Sequence, residues 1–107
     1  MLINQKSVEN LLRNIAIREF KEKKPQSVSL IRIKPTQIYS KGSVLKRLSI
    51  SQSLNPYYAI VEKRQDKAYV LLYSRNGDPQ GGKNIDLTEK QLKWIRKNTK
   101  KVFEYPK

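Results

Sequence analysis

Histidine and cysteine are both absent from this 107-residue chain. The commonest general base and the best side-chain nucleophile are therefore missing. Disulfides and thiolate metal sites are excluded as well. The nine carboxylates are scattered along the chain. Together these gaps argue against an enzyme, and neither a cofactor nor a bound metal is expected. The start, MLINQKSVENLL, has no uninterrupted apolar stretch of the secretory kind. No run approaches the roughly 18 apolar residues of a membrane span. Lack of cysteine suits a reducing compartment, so a cytoplasmic location is expected.

Acidic residues are missing over one long stretch. Between Lys23 and Val61 there is no carboxylate at all, while residues 25–50 carry Arg32, Lys34, Lys41, Lys46 and Arg47. The whole chain has 23 Lys and Arg against 9 Asp and Glu, a net charge of +14. A generic solvated surface mixes its signs. A field this one-sided draws polyanions. Apolar residues still make up 37%, and the length suits one basic domain, 1–107, with its own core.

Residues Ser7 to about Lys24 read as a helix. Val8, Leu11, Leu12, Ile15, Ala16 and Phe20 share one face. Ser7 is a good cap, and Pro25 stops the helix. Ser27 to Ile33 reads as a strand whose alternation slips between Leu30 and Ile31, by a bulge or because both faces are covered. Gln37 to Ser40 suggests a short edge strand, and Ser43 to Leu54 favours strand over helix. Tyr57–Lys63 and Lys67–Ser74 form a hairpin through Gln65-Asp66. A two-residue turn pairs Glu62 with Tyr69, Ile60 with Leu71, and Tyr58 with Tyr73. Ala59, Val61, Ala68, Val70 and Leu72, with Tyr57, then fall on the other face, so neither face is polar.

The segment RNGDPQGGKN, from Arg75 to Asn84, reads as a mobile loop. Gly77 to Lys83 fits G-x-x-x-x-G-K, but Asn84 stands where a phosphate-cradling loop needs Ser or Thr. A second helix follows to about Lys101, and the tail KVFEYPK suits either a last turn or a strand. The helix cap is Asp86 or Thr88, and either Asp86 with Glu89 or Thr88 with Gln91 would make a capping box. Leu92, Ile95, Thr99, Val102 and Phe103 gather on one side of it. Lys90, Lys93, Lys97, Lys100 and Lys101 line the other, with Trp94 at the edge of the stripe. Like charges at these spacings repel by a few tenths of a kcal/mol per pair, so a functional use is plausible.

The expected fold is α+β: an antiparallel, strongly curved sheet or small partly closed β-barrel of four to five strands, flanked by the two helices. The order helix, strands, helix resembles the double-stranded RNA-binding domain in outline. Asp86-Leu-Thr-Glu89, however, stands where that family grips phosphate with lysines. The closing hairpin, loop and helix resemble small integrase DNA-binding domains, and the length suits a small RNA-binding barrel of the PUA type. No motif assigns a family.

The function expected from these features is non-catalytic nucleic-acid binding, RNA ahead of DNA, in a regulatory role. Arg32, Lys34, Lys41, Lys46, Arg47, Lys83 and the Lys90–Lys101 stripe would meet phosphates. Most of the hairpin tyrosines fill the core. Tyr58 and Tyr73, with Arg75 beside them, and Trp94 are the candidates for stacking a base. A different class, a small interaction module for an acidic protein or the ribosome, fits the same charge. Peripheral membrane attachment through the basic last helix ranks third.

Overall fold

The computed structural model describes residues 4–33, 56–86 and 88–106, apart from the side chains of Lys83, Leu92, Trp94 and Asn98. The strands expected at Gln37–Ser40 and Ser43–Leu54 lie outside the described residues. So do the candidate side chains of Lys34, Lys41, Lys46, Arg47, Lys83 and Trp94.

Helix α1 spans Gln5–Lys23. Its cap is Asn4, whose side chain accepts from the Lys6 N–H at 2.8 Å, rather than Ser7. Asn and Ser cap about equally well, so composition alone does not choose between them. Lys24 ends the helix in the left-handed region at φ 51°, returning its N–H to the Phe20 carbonyl, and Pro25 follows. Val8, Leu12 and Ala16 are buried along one stripe.

Among the described residues five strands follow: β1 Ser27–Ile33, β2 Pro56–Arg64, β3 Lys67–Ser74, β4 Pro79–Asp86 and β5 Thr99–Tyr105. Helix α2, Glu89–Asn98, separates the last two. The strands pair antiparallel in the order β4-β3-β2-β1-β5. β4 and β5 are thus the outermost of the described strands and do not pair with each other. Among the described residues the sheet is open, so the barrel alternative is unsupported. The α+β class and the antiparallel sheet stand.

The β2–β3 register is Glu62 to Tyr69, Ile60 to Leu71 and Tyr58 to Tyr73. Gln65 takes φ 46° in the turn, and its N–H donates to the Gln26 side chain at 3.0 Å. That tertiary bond holds a turn whose own residues prefer it only weakly. The slip expected at Leu30 and Ile31 is a register shift against β5, where Leu30 faces Phe103 and Ile31 faces Lys101. Val102 is the extra residue.

Two segments differ from expectation. The glycine-rich stretch forms β4 along β3, with the turn confined to residues 75–78, where Gly77 has φ 88°. A Cβ at Gly82 would lie 2.9 Å from both Leu71 Cδ2 and the Tyr69 hydroxyl. Glycine is therefore what lets this strand approach. The segment is no phosphate-cradling loop, because it pairs as a strand and does not open a helix. The second correction is the end of the helix, and of the two readings of the tail the strand holds. α2 stops at Asn98, and Lys100 and Lys101 belong to β5, not to a helical stripe. The Thr99 hydroxyl donates to the Ile95 carbonyl at 2.6 Å and satisfies the helix end.

Both sheet faces are apolar. On the first face α1 covers Val28, Leu30, Tyr58, Ile60 and Tyr73. The second face carries Ile31, Ile33, Ala59, Val61, Ala68, Val70, Leu72 and Ile85, with Ile95 of α2 packed against them. Helix flanking is partial, because among the described residues α2 meets this face through Ile95 and lies beside β5. No described helix is long and apolar enough to cross a membrane.

Candidate nucleic-acid interface

The first face settles where several candidate residues sit. Tyr58 is 0% exposed and Tyr73 is 7% exposed. Neither ring offers a face to a base, which corrects the stacking expectation for both. The Tyr58 hydroxyl donates to Glu9 Oε2 at 2.8 Å. Arg32 Nη2 donates to the same oxygen at 2.8 Å, and Gln5 Nε2 donates at 3.1 Å. Burial alone would raise the Glu9 carboxyl. The hydrogen bonds from Arg32, Gln5 and Tyr58, with the Arg32 charge, outweigh it and hold the group below its ordinary value. Burial, followed by the Glu9 contact, pushes the Tyr58 phenol far up. Arg32 therefore braces α1 against β1 through Nη2, with its charge directed at a carboxylate.

Arg75 is exposed in the turn after β3, and its guanidinium lies 5.7 Å from the Tyr57 ring centroid. Tyr57 meets Tyr58 edge-on at 4.8 Å. The register shift at Pro56 and Tyr58 turns Tyr57 toward the first face, where it packs against the cluster under α1.

The basic residues of the last third gather differently. Thr88 and Gln91 form the capping box that starts α2, with Gln91 N–H donating to Thr88 Oγ1 at 3.3 Å. Gln91 is 8% exposed and Ile95 is half-buried, so these two mark the inward side. At about 100° per residue, Lys90, Lys93 and Lys97 then point away from the sheet. All three are exposed. Arg96, also exposed, flanks them on the side toward β1 and β5. Immediately after the helix, the bonded registers place Lys100 opposite Arg32 and Lys101 opposite Ile31. Paired residues share a face, so Lys100 and Lys101 leave β5 in opposite directions.

Between α2 and the second face lies a groove of about 430 Å³. Ile31, Val61 and Ile95 form its floor. Ser27, Ser29 and Thr99 contribute hydroxyls, and Lys63, Arg96 and Lys101 contribute positive charge. Glu104 also lines it and pairs with Lys101 at 3.1 Å. Lys63 and Arg96 were not singled out from the sequence. The signal for them is the pairing of β5 with β1, which brings positions more than thirty residues apart onto one wall.

Comparison with protein-family models, with curated proteins and with solved structures gives no match for this chain.

Proposed function

We propose that this protein is a non-catalytic nucleic-acid-binding protein, with RNA ahead of DNA, acting as a regulator in RNA handling. The observation that carries the reading is the gathering of exposed Lys90, Lys93, Arg96 and Lys97 on α2 and Lys101 on β5, beside a groove that adds Lys63, while Lys100 leaves toward the first face. Of the nine carboxylates, Glu9 and Glu19 are bound to cations under α1, and Glu62 is buried. They do little to offset the field over α2. Among the described residues the exposed side of α2 carries Lys90, Lys93, Arg96 and Lys97, and cations of this kind meet phosphate oxygens. Lys34, Lys41, Lys46, Arg47, Lys83 and Trp94 join this proposal on sequence grounds.

The test is fluorescence anisotropy with single-stranded RNA, duplex RNA and duplex DNA at about 50, 150 and 300 mM salt. RNA binding should persist at the middle concentration and fall steeply with salt. Lys93→Glu with Lys97→Glu should weaken it about tenfold or more without shifting the urea midpoint, since both side chains are exposed. Equal binding of all three that vanishes at the middle concentration would overturn the reading and leave an acidic protein as the partner to seek.

A further inference from the structure

We infer that the groove between α2 and the β1–β5 pair takes one unpaired nucleotide of a single RNA strand, a claim that rests on the function proposed above and narrows it. A flat lysine stripe would serve any polyanion. The groove is a different kind of object. Its volume, about 430 Å³, falls in the range of sites that enclose a small flat ligand.

The floor and the rim ask for different chemistry. Ile31 and Val61 are 4% and 9% exposed, and Ile95 packs beside them, so the floor is aliphatic and offers the face of a base an apolar surface. Lys63 and Arg96 stand at the rim, where phosphates on either side of the base would lie. Ser27 and Ser29 both line the groove from β1, two residues apart and therefore on one side of the strand. Their hydroxyls donate and accept, which suits a ribose 2′-OH. An inorganic anion would leave the aliphatic floor unused. A duplex keeps its base faces stacked inside and presents none to the floor. A single strand with a splayed base satisfies floor, hydroxyls and cations together.

A variant that fills the groove without changing charge separates this from general electrostatics. Ser29→Phe places a ring in the groove at the centre of β1 and suits a strand. Affinity for a single-stranded RNA should fall about tenfold, with the affinity for a duplex of the same sequence unchanged. Unchanged single-strand affinity in the folded variant overturns the inference and leaves the nucleic-acid reading standing. If wild-type protein binds neither RNA, the reading itself fails and the groove claim goes with it. A second measurement needs no variant. In wild-type protein titrated with adenosine 5′-monophosphate, the backbone amides that shift should cluster at residues 27–31, 61–63 and 95–104. Shifts confined to other regions, or none, overturn the inference even if Ser29→Phe does not fold.

Discussion

The two faces of the sheet use the same residue types to opposite ends. Under α1, a tyrosine and an arginine meet at one carboxylate oxygen of a glutamate, so cation and acid hold each other. On the second face, Lys63, Arg96 and Lys101 stand around a groove with one carboxylate among them. A charged residue's type therefore does not say whether it braces the fold or meets a partner. What decides is whether the topology supplies an opposite charge at the same depth. Stability and binding should consequently separate by face, and each substitution below tests that separation.

The largest effect belongs to the first face. Tyr58→Ala removes a side chain with 0% exposure and strips Glu9 of one of its three donors. Cavity formation should cost about 3–5 kcal/mol, read from the urea midpoint. Nucleic-acid affinity, measured at a temperature where the variant remains folded, should be unaltered. A loss of affinity there would mean that the two faces are not independent.

Next comes Glu62, which is 1% exposed on β2 and faces Glu19 of α1. Burial, then the Glu19 charge, raises its pKa above the ordinary 4.5; Lys23 and Arg64 pull the other way without cancelling the shift. The folded protein therefore holds a proton here more tightly than the unfolded chain does. Stability from this group is full below about pH 4.5 and is lost as pH rises through the raised value. Glu62→Gln replaces the acid with a neutral group of the same shape. The variant should unfold at higher urea than the wild type at pH 7, and the gap should shrink as the pH falls toward 4.5. A variant less stable than wild type at pH 7 would show that the ionised carboxylate is itself a useful partner on this face. RNA affinity should be untouched in either case.

How much of this was legible in the chain follows the range of the interactions. The Thr88–Gln91 box is set by neighbours in sequence and its capping residues expose it, whereas the hairpin register and the slip at Leu30 and Ile31 show in the alternation although Gln26 and β5 fix them from far along the chain. β4 was hidden because Pro79, Gly81 and Gly82 read as loop. Its strand state comes from pairing with β3, which overrides local preference. β5 stayed open between a last turn and a strand because Val102 and Phe103 also continue the apolar side of α2. Phe103 instead lies beside Leu30 on the first face, and Tyr105 meets Phe20 edge-on at 5.0 Å. The stacking role assigned to Tyr58 and Tyr73 failed for a related reason. Their distance from the basic loop in sequence said nothing of α1 lying over them. The groove was the least visible feature, since it is assembled from β1, β2, α2 and β5 and exists only once β5 docks on β1.

The smallest effect on stability should accompany the sharpest test of the second face. Glu104 pairs with Lys101 at 3.1 Å, with side chains 41% and 60% exposed. An exposed pair at this spacing contributes about 0–1 kcal/mol, so Glu104→Gln should leave the urea midpoint nearly unchanged. Binding is another matter. The carboxylate lies in the same groove as Lys63, Arg96 and Lys101 and holds the Lys101 ammonium. Removing it both frees that lysine for phosphate and deletes a repulsive charge. Single-stranded RNA affinity should rise about two- to fivefold, with a slightly steeper salt dependence from the newly available contact. The same substitution would lower affinity if Glu104 accepted a hydrogen bond from the amino group of a bound base, because the amide is a weaker acceptor. The sign of the change therefore tells whether the carboxylate opposes the strand or reads it. No change at all would place the strand away from β5 and break the division of labour between the faces.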